Sequence, residues 1–158
     1  MTGIQTQSGS ATERLQALGR NLPEVRESSK YQNHRAVDSS VHVAGQLPYH
    51  DGELLGQGIV GRDVDVETAR ELARHAALNA LAVAAQAVGD LERVRIVQML
   101  VFVASTPDLG QQSRVADAAS DFLIDVLGEN GRHARTAIGV AGLPLNSPVE
   151  IQMVITAA

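Results

Sequence analysis

Two charged side chains, Arg135 and Glu150, stand at the heads of two otherwise apolar segments near the C-terminus. A Gly-Leu-Pro turn at 142–144 separates the two segments. An arginine among small apolar neighbours is costly to desolvate unless an anion meets it. Its planar guanidinium matches a carboxylate through two parallel hydrogen bonds. The spacing therefore predicts a pocket for a small carboxylate, with Arg135 as the group that holds it.

Each candidate residue also has a purely structural explanation. Arg135 could form an ion pair with Glu150 or with another acid, and such pairs are common and contribute little. Glu150 could act as a general base if partial burial raises its pKa, or it could be a solvated charge at a strand end. Tyr31, one of two tyrosines, could close the pocket or be an ordinary half-buried strand residue. His133 is the one histidine expected near Arg135.

Composition excludes several classes of function. The 158 residues fit one domain, and with 3% aromatic residues and no tryptophan its core must consist of Ala, Val, Leu and Ile. The absence of cysteine excludes disulfides and thiol chemistry, and no histidines and acids share a metal-binding spacing, so no metal is expected. A net charge of −5 without a basic run argues against nucleic acid as a partner. Neither a signal sequence nor a membrane-spanning run is apparent, so we expect a cytoplasmic protein.

Hydrophobic periodicity divides the chain into a flexible tail (1–10), an N-terminal helix and extension (11–30) and the main domain (31–158). Thr12 is predicted to cap a short helix through Leu18, which would cover an open sheet edge. Two longer helices are predicted, the first between Asp65 as its cap and Gly89 as its end. The predicted helices span 66–88 and 111–127, and the predicted strands span 31–37, 40–47, 54–60, 94–104, 135–141 and 149–157.

This order of elements predicts an α+β fold with a single sheet and both long helices on one face. Strand 94–104 is apolar at nearly every position, which indicates burial on both sides. The sheet face opposite the helices would still carry Val and Ile, and an exposed apolar area of that size usually marks an oligomer interface. We therefore expect the protein not to be a monomer.

Several segments resemble the YjgF/RidA family, also called the L-PSP endoribonuclease family. Val-His-Val-Ala-Gly-Gln-Leu-Pro (41–48) is similar to the motif on its second strand, and 135–151 is similar to its C-terminal signature. Ala-Ala-Leu-Asn-Ala-Leu (76–81) and Leu-Val-Phe-Val (100–103) resemble its first helix and the following strand. The resemblance covers about Tyr31 to the C-terminus, and the longer N-terminus and 131–135 resemble a longer-chain branch of the family.

The resemblance implies a chorismate-mutase-like fold, assembled as a homotrimer with clefts between subunits. Characterised members hydrolyse enamines and imines such as 2-aminoacrylate to 2-oxo acids and ammonia, without a cofactor. By this likeness Arg135 would bind the substrate carboxylate, Glu150 would hold the attacking water and Tyr31 would shape the cleft. Backbone groups of Gly45 and Ala137 would help to hold the carboxylate.

The chain departs from the family pattern at several pocket positions. Ala44 and Ala137 replace a serine and a cysteine, and Asp117 stands where those enzymes carry an asparagine that lines the cleft. A carboxylate at Asp117 would repel an anionic substrate if it faced Arg135. The leading interpretation is a trimeric imine/enamine deaminase. The alternatives are a non-catalytic module that binds small 2-oxo or aromatic acids and, less favoured, an endoribonuclease.

Overall fold

A computed structural model of the chain describes residues 8–158. Most of the predicted tail (1–10) lies outside the described residues. A five-stranded sheet carries the fold, and three short 3₁₀ turns (Leu91–Arg93, Gly128–Gly131 and Pro144–Asn146) accompany its helices and strands. The helices and strands are α1 (Ala11–Ala17), β1 (His34–Val37), β2 (Ser40–Gln46), β3 (Tyr49–His50), β4 (Glu53–Leu54), α2 (Val66–Val88), β5 (Val94–Ala104), α3 (Gln112–Leu127), β6 (Ala134–Val140) and β7 (Val149–Ala157).

The sheet is mixed and has the strand order β1-β2-β7-β5-β6. All neighbouring strands are antiparallel except β5 and β6, which are parallel because α3 connects them as a crossover. Helix α2 packs on β2 and β7, α3 packs beside it on β5 and β6, and the two helices contact each other. The predicted α+β class, with one sheet and two long helices on it, is confirmed.

Helix α2 has the predicted bounds. The Asp65 side chain accepts a hydrogen bond from the Thr68 amide at 2.7 Å, and Gly89 ends the helix in the left-handed conformation. Alanines occupy most of its buried positions, so its backbone comes close to the sheet and to α3. The buried residues contributed by α2 are Ala69, Leu72, Ala73, Ala76, Ala77, Leu78, Ala80, Leu81, Ala82, Val83, Ala84 and Ala85.

The prediction for the N-terminal helix was wrong in its cap and in its contacts. Ser10, not Thr12, caps α1, because Ser10 and Glu13 form a reciprocal capping box. The Thr12 hydroxyl and the Ala11 and Thr12 amides instead donate to the carboxylate of Glu92. Helix α1 therefore packs on α3 and the Leu91–Arg93 turn, and it does not cover a sheet edge.

Two strand predictions also differ from the structure. Strand β1 begins at His34 rather than at Tyr31, because buried Asn33 holds the preceding segment through a 2.6 Å bond from its Nδ2 to the Arg26 carbonyl. The predicted strand at 54–60 is absent. Its first residue belongs instead to a small hairpin of β3 and β4, whose two turn residues Asp51 and Gly52 both have positive φ. Asp-Gly is a strong signal for such a turn, and it outweighed the apolar run that follows.

Only one face of the main sheet is buried within the single chain. On β5, Met99, Val101 and Val103 are buried beneath the helices, whereas Leu100 and Phe102 alternate with them and stay partly exposed. Ile138 of β6 and Val154 of β7 are also accessible on the face without helices. The prediction that β5 is buried on both sides is therefore wrong for the isolated chain. We call the face without helices the open face.

Candidate functional site

Arg135 lies near the start of edge strand β6 and points toward the helices, where α3 supplies its partners. Its Nη1 donates to Asp117 Oδ1 at 2.8 Å and to Ser120 Oγ at 3.1 Å, and the Arg135 side chain is 22% exposed. Asp117 and Ser120 share a face of α3 because they are three residues apart. Of the alternatives left open by the sequence, an ion pair with another acid is present, and the acid is Asp117.

The ion pair engages only one nitrogen of the guanidinium. Both hydrogen bonds of Arg135 come from Nη1, and Nε and Nη2 bond to none of the residues that the structure describes. An arginine offers five N–H donors in a fixed fork, and its Nε/Nη2 edge alone can hold a carboxylate in bidentate geometry. Asp117 is 54% exposed, and its second oxygen is also without a partner in residues 8–158. The pair therefore positions Arg135 while leaving one edge free for a ligand.

Ser120 and His133 extend this arrangement into a hydrogen-bonded chain. His133 Nδ1 lies 2.6 Å from the Gly131 carbonyl, so Nδ1 must carry the proton, and Nε2 then accepts from the Ser120 hydroxyl at 3.0 Å. Burial lowers the pKa of His133, and the Arg135 charge acts in the same direction, although the bond to Gly131 opposes both. The sequence predicts His133 near Arg135 but does not predict Ser120. The available signal for Ser120 is its position one helical turn after Asp117, which places both side chains on the same face of α3.

Because His133 is held neutral, the stability of the protein should fall in mild acid. The folded-state pKa of His133 is below the ordinary value of 6.5, so the unfolded chain binds the proton first as pH decreases. The free energy of unfolding should therefore decline below about pH 6.5. Urea denaturation at several pH values would measure this slope. We expect His133→Gln to reduce the slope. The slope that remains includes the contribution of His75, whose pKa burial also lowers.

Glu150 lies on the open face of the sheet. It alternates along β7 with Val149 and Ile151, which are buried under the helices. Its carboxyl group sits against Gly45, near a β-bulge in β2, and a Cβ atom at position 45 would lie only 2.8 Å from the Glu150 carboxyl carbon. Burial raises the pKa of Glu150, and no ion pair or hydrogen bond from residues 8–158 offsets this desolvation. Only a residue without a side chain is compatible with this contact.

Arg135 and Glu150 do not meet within one chain. They lie on opposite faces of the sheet, with β5 between their strands. On β5, Arg135 is in register with Met99, and Glu150 is in register with Phe102. Arg135 and Glu150 are therefore about 10 Å apart across the strands, which is two strand spacings, and about 10 Å apart along the strands, which is three residues. A site that uses both side chains therefore needs more than one copy of the chain.

The other predicted site residues are dispersed. Tyr31 precedes β1 and is 60% exposed in the single chain. Ala137 lies on the same side of β6 as Arg135 and packs against the core. A cavity of about 580 Å³, which the sequence did not predict, lies between the N-terminal extension and α2. In it Arg26 covers the ring of Tyr49, but neither Arg135 nor Glu150 lines it.

Residues 8–158 contain neither a cluster suited to a metal ion nor a helix suited to a membrane. Within that range, no three histidines or acids are grouped so that they could bind a metal ion. No helix in the same range combines the length and the apolar character needed to cross a bilayer.

The five-stranded mixed sheet, with α2 and α3 packed on one of its faces, defines a chorismate-mutase-like α+β domain. Residues 12–156 match the family model described as "YjgF/chorismate mutase-like, putative endoribonuclease". The protein TCP17 of Trypanosoma cruzi is 39% identical over 151 residues, which cover 94% of each chain. The chain belongs to the YjgF/chorismate mutase-like family, and the family resemblance predicted from the sequence is confirmed.

Two solved structures are similar over nearly the whole chain. Atu1372 of Agrobacterium tumefaciens, a protein described as having unknown function, has a TM-score of 0.88 and 39% identity, covering 94% of this chain and 92% of its own. A protein of Shewanella oneidensis MR-1, whose description names an endoribonuclease, has a TM-score of 0.90 and 33% identity, covering 94% and 99%. Both likenesses include the N-terminal extension and thus extend beyond the segment recognised from sequence motifs.

Proposed function

We propose that this protein hydrolyses small enamines and imines of the 2-aminoacrylate and 2-iminopropionate type in a cleft between subunits of a homotrimer. The observation that supports this most is Glu150, a half-buried carboxylate with a raised pKa and no ionic partner among the described residues. A carboxylate of this kind is suited to accept a proton from water near neutral pH. The separation of Arg135 and Glu150 within one chain favours a site completed by a neighbouring copy.

In this mechanism the free edge of Arg135 holds the substrate carboxylate. Glu150 from the adjacent subunit orients a water molecule and takes its proton as the oxygen attacks the imine carbon. Glu150 passes that proton to the nitrogen, which gives a carbinolamine. Glu150 then takes the proton of the new hydroxyl group and donates it to the amine as the carbon–nitrogen bond breaks, so that ammonia leaves and the 2-oxo acid forms. An imine carbon is already electrophilic, so orientation and charge complementarity account for the catalysis.

Replacing Arg135 tests this function directly. We expect Arg135→Ala to reduce kcat/KM for 2-iminopropionate by about 100-fold or more, because two charge-assisted hydrogen bonds to the substrate are lost. The imine can be generated in situ and its decay followed in a coupled assay of ammonia release. Arg132→Ala, which removes a neighbouring arginine paired with Glu129, is the matched control and should retain activity. Unchanged rates in Arg135→Ala would reject the mechanism.

The contact between Asp117 and Arg135 favours a second function, the binding of a small carboxylate without turnover. The Asp117 carboxylate lowers the net positive charge that Arg135 presents to a substrate anion. It therefore weakens electrostatic catalysis at this site. This function predicts binding of small acids in calorimetry, lost in Arg135→Ala, together with no imine hydrolysis by the wild-type protein. The coupled assay and calorimetry with 2-oxobutyrate, carried out on the same preparation, distinguish the two functions.

RNA cleavage, which the family description names, has weaker support. A net charge of −5 without a basic run leaves few groups to neutralise an RNA backbone. Ribonuclease activity that survives rigorous nuclease removal and disappears in Arg135→Ala would favour it.

A further inference from the structure

The ion pair between Arg135 and Asp117 affects which ligands can bind to Arg135. We call the free edge of Arg135, together with its partners Asp117 and Ser120, the clamp. Arg135 Nη1 bonds to Asp117 Oδ1 at 2.8 Å, so the two charges nearly cancel where a ligand would bind. A simple carboxylate on the free edge of Arg135 would be attracted by the guanidinium and repelled by the Asp117 carboxylate beside it. A ligand whose only charge is negative is therefore held less tightly here than it would be by an arginine without the Asp117 partner.

The unused groups of the pair are complementary to a different ligand. Within residues 8–158, the Nε/Nη2 edge of Arg135 and one carboxylate oxygen of Asp117 have no hydrogen-bond partner, and the Asp117 side chain is 54% exposed. These two groups are held next to each other by their own hydrogen bond, and Ser120 Oγ also accepts from Nη1 of the guanidinium. A molecule that carries a carboxylate and, one carbon away, a positively charged nitrogen can satisfy both groups.

We infer that Asp117 is a specificity-determining residue that makes the Arg135 clamp selective for zwitterionic 2-amino and 2-imino acids over 2-oxo acids. The inference deepens the proposed function and rests on it for the identity of the Arg135 site. It adds a consequence for turnover. Hydrolysis of a protonated imine removes the positive nitrogen, so the 2-oxo acid product is held less tightly than the substrate and leaves more readily.

Two ligands of nearly equal size test the selectivity. L-Alanine and pyruvate differ mainly in the ammonium group at the second carbon, and titration calorimetry with the full chain gives both dissociation constants. We expect wild-type protein to bind L-alanine at least tenfold more tightly than pyruvate. Asp117→Asn should weaken the binding of L-alanine and strengthen that of pyruvate, so that the ratio falls by tenfold or more. The Arg135 Nε–H signal in NMR spectra should shift when L-alanine binds.

The control is Asp121→Asn, which removes the same charge from an exposed position one turn further along α3 and should leave the ratio as in wild type. Equal affinities for the two ligands in wild-type protein, or equal shifts of the ratio in Asp117→Asn and Asp121→Asn, would overturn the inference while leaving the proposed function intact. Binding of both ligands that is unaffected by Arg135→Ala, or no binding of either, would overturn both.

Discussion

Mixed oligomers of two inactive variants should regain imine hydrolysis. Arg135→Ala keeps Glu150, and Glu150→Gln keeps Arg135, so each variant alone lacks one half of the proposed site. If Arg135 of one subunit acts with Glu150 of the next, an Arg135→Ala subunit beside a Glu150→Gln subunit rebuilds one complete cleft. Random assembly of equal amounts into trimers places the intact pair at about a quarter of the clefts. We therefore expect about a quarter of the wild-type rate after the two variants are unfolded and refolded together.

This expectation follows from the sheet and not from the sequence motif. Arg135 and Glu150 are on opposite faces with β5 between their strands, so no rotamer change within one chain brings them together. The control is a double variant that carries both substitutions, refolded with wild-type protein. A two-subunit cleft predicts about a quarter of the wild-type rate from that mixture, whereas a single-chain site predicts about half. Absence of rescue in the first mixture would contradict the proposed cleft between subunits.

Replacing Gly45 with alanine should damage both stability and activity. A Cβ atom at this position would lie 2.8 Å from the Glu150 carboxyl carbon, so the Glu150 side chain or the β2 backbone would have to move. Overpacking typically costs about 1–3 kcal/mol in the free energy of unfolding, and we expect a cost near the lower end because the obstructing atoms all belong to the flexible Glu150 side chain. If Glu150 is the proposed general base, its displacement should also lower kcat for imine hydrolysis by tenfold or more. Urea denaturation and the coupled assay measure the two effects.

Two further variants test the cause assigned to the Gly45 effect. Gly142→Ala adds the same methyl group where no atom of residues 8–158 lies within 4 Å, so stability and activity should change little. In a Glu150→Ala background the obstructing carboxyl group is gone, and Gly45→Ala should then cost little stability. If Gly45→Ala were as destabilising with alanine at position 150 as with glutamate, the contact between Gly45 and Glu150 would not be the reason.

The long regular elements were predictable because local signals and tertiary packing agree there. Helix α2, strand β5 and strand β7 have the bounds expected from apolar periodicity, and Asp65 and Gly89 mark the ends of α2 through local backbone chemistry. The shorter elements were less predictable. Thr12 and Ser10 are both acceptable caps by residue type, and only the reciprocal bonds between Ser10 and Glu13 separate them.

The residue types of the candidate site were also readable from the chain. A lone arginine and a glutamate fifteen positions later mark Arg135 and Glu150 as candidates, and the family resemblance adds Gly45, the glycine before Gln46. In the structure the Glu150 carboxyl group lies against Gly45, a contact that the sequence did not predict. Asp117 was suspected as an unfavourable neighbour of Arg135, and it forms an ion pair with Arg135 at 2.8 Å.

What the sequence alone determined is therefore the family, the order of the elements and the chemistry of the side chains, since motifs and periodicity are local properties. The tertiary structure decided which groups face each other. Strand pairing sets Arg135 beneath α3 and Glu150 on the open face, because neighbouring residues of a strand point to opposite sides and β5 lies between β6 and β7. The strand order and the register of these pairings arise from contacts distant in sequence, which no spacing along the chain encodes.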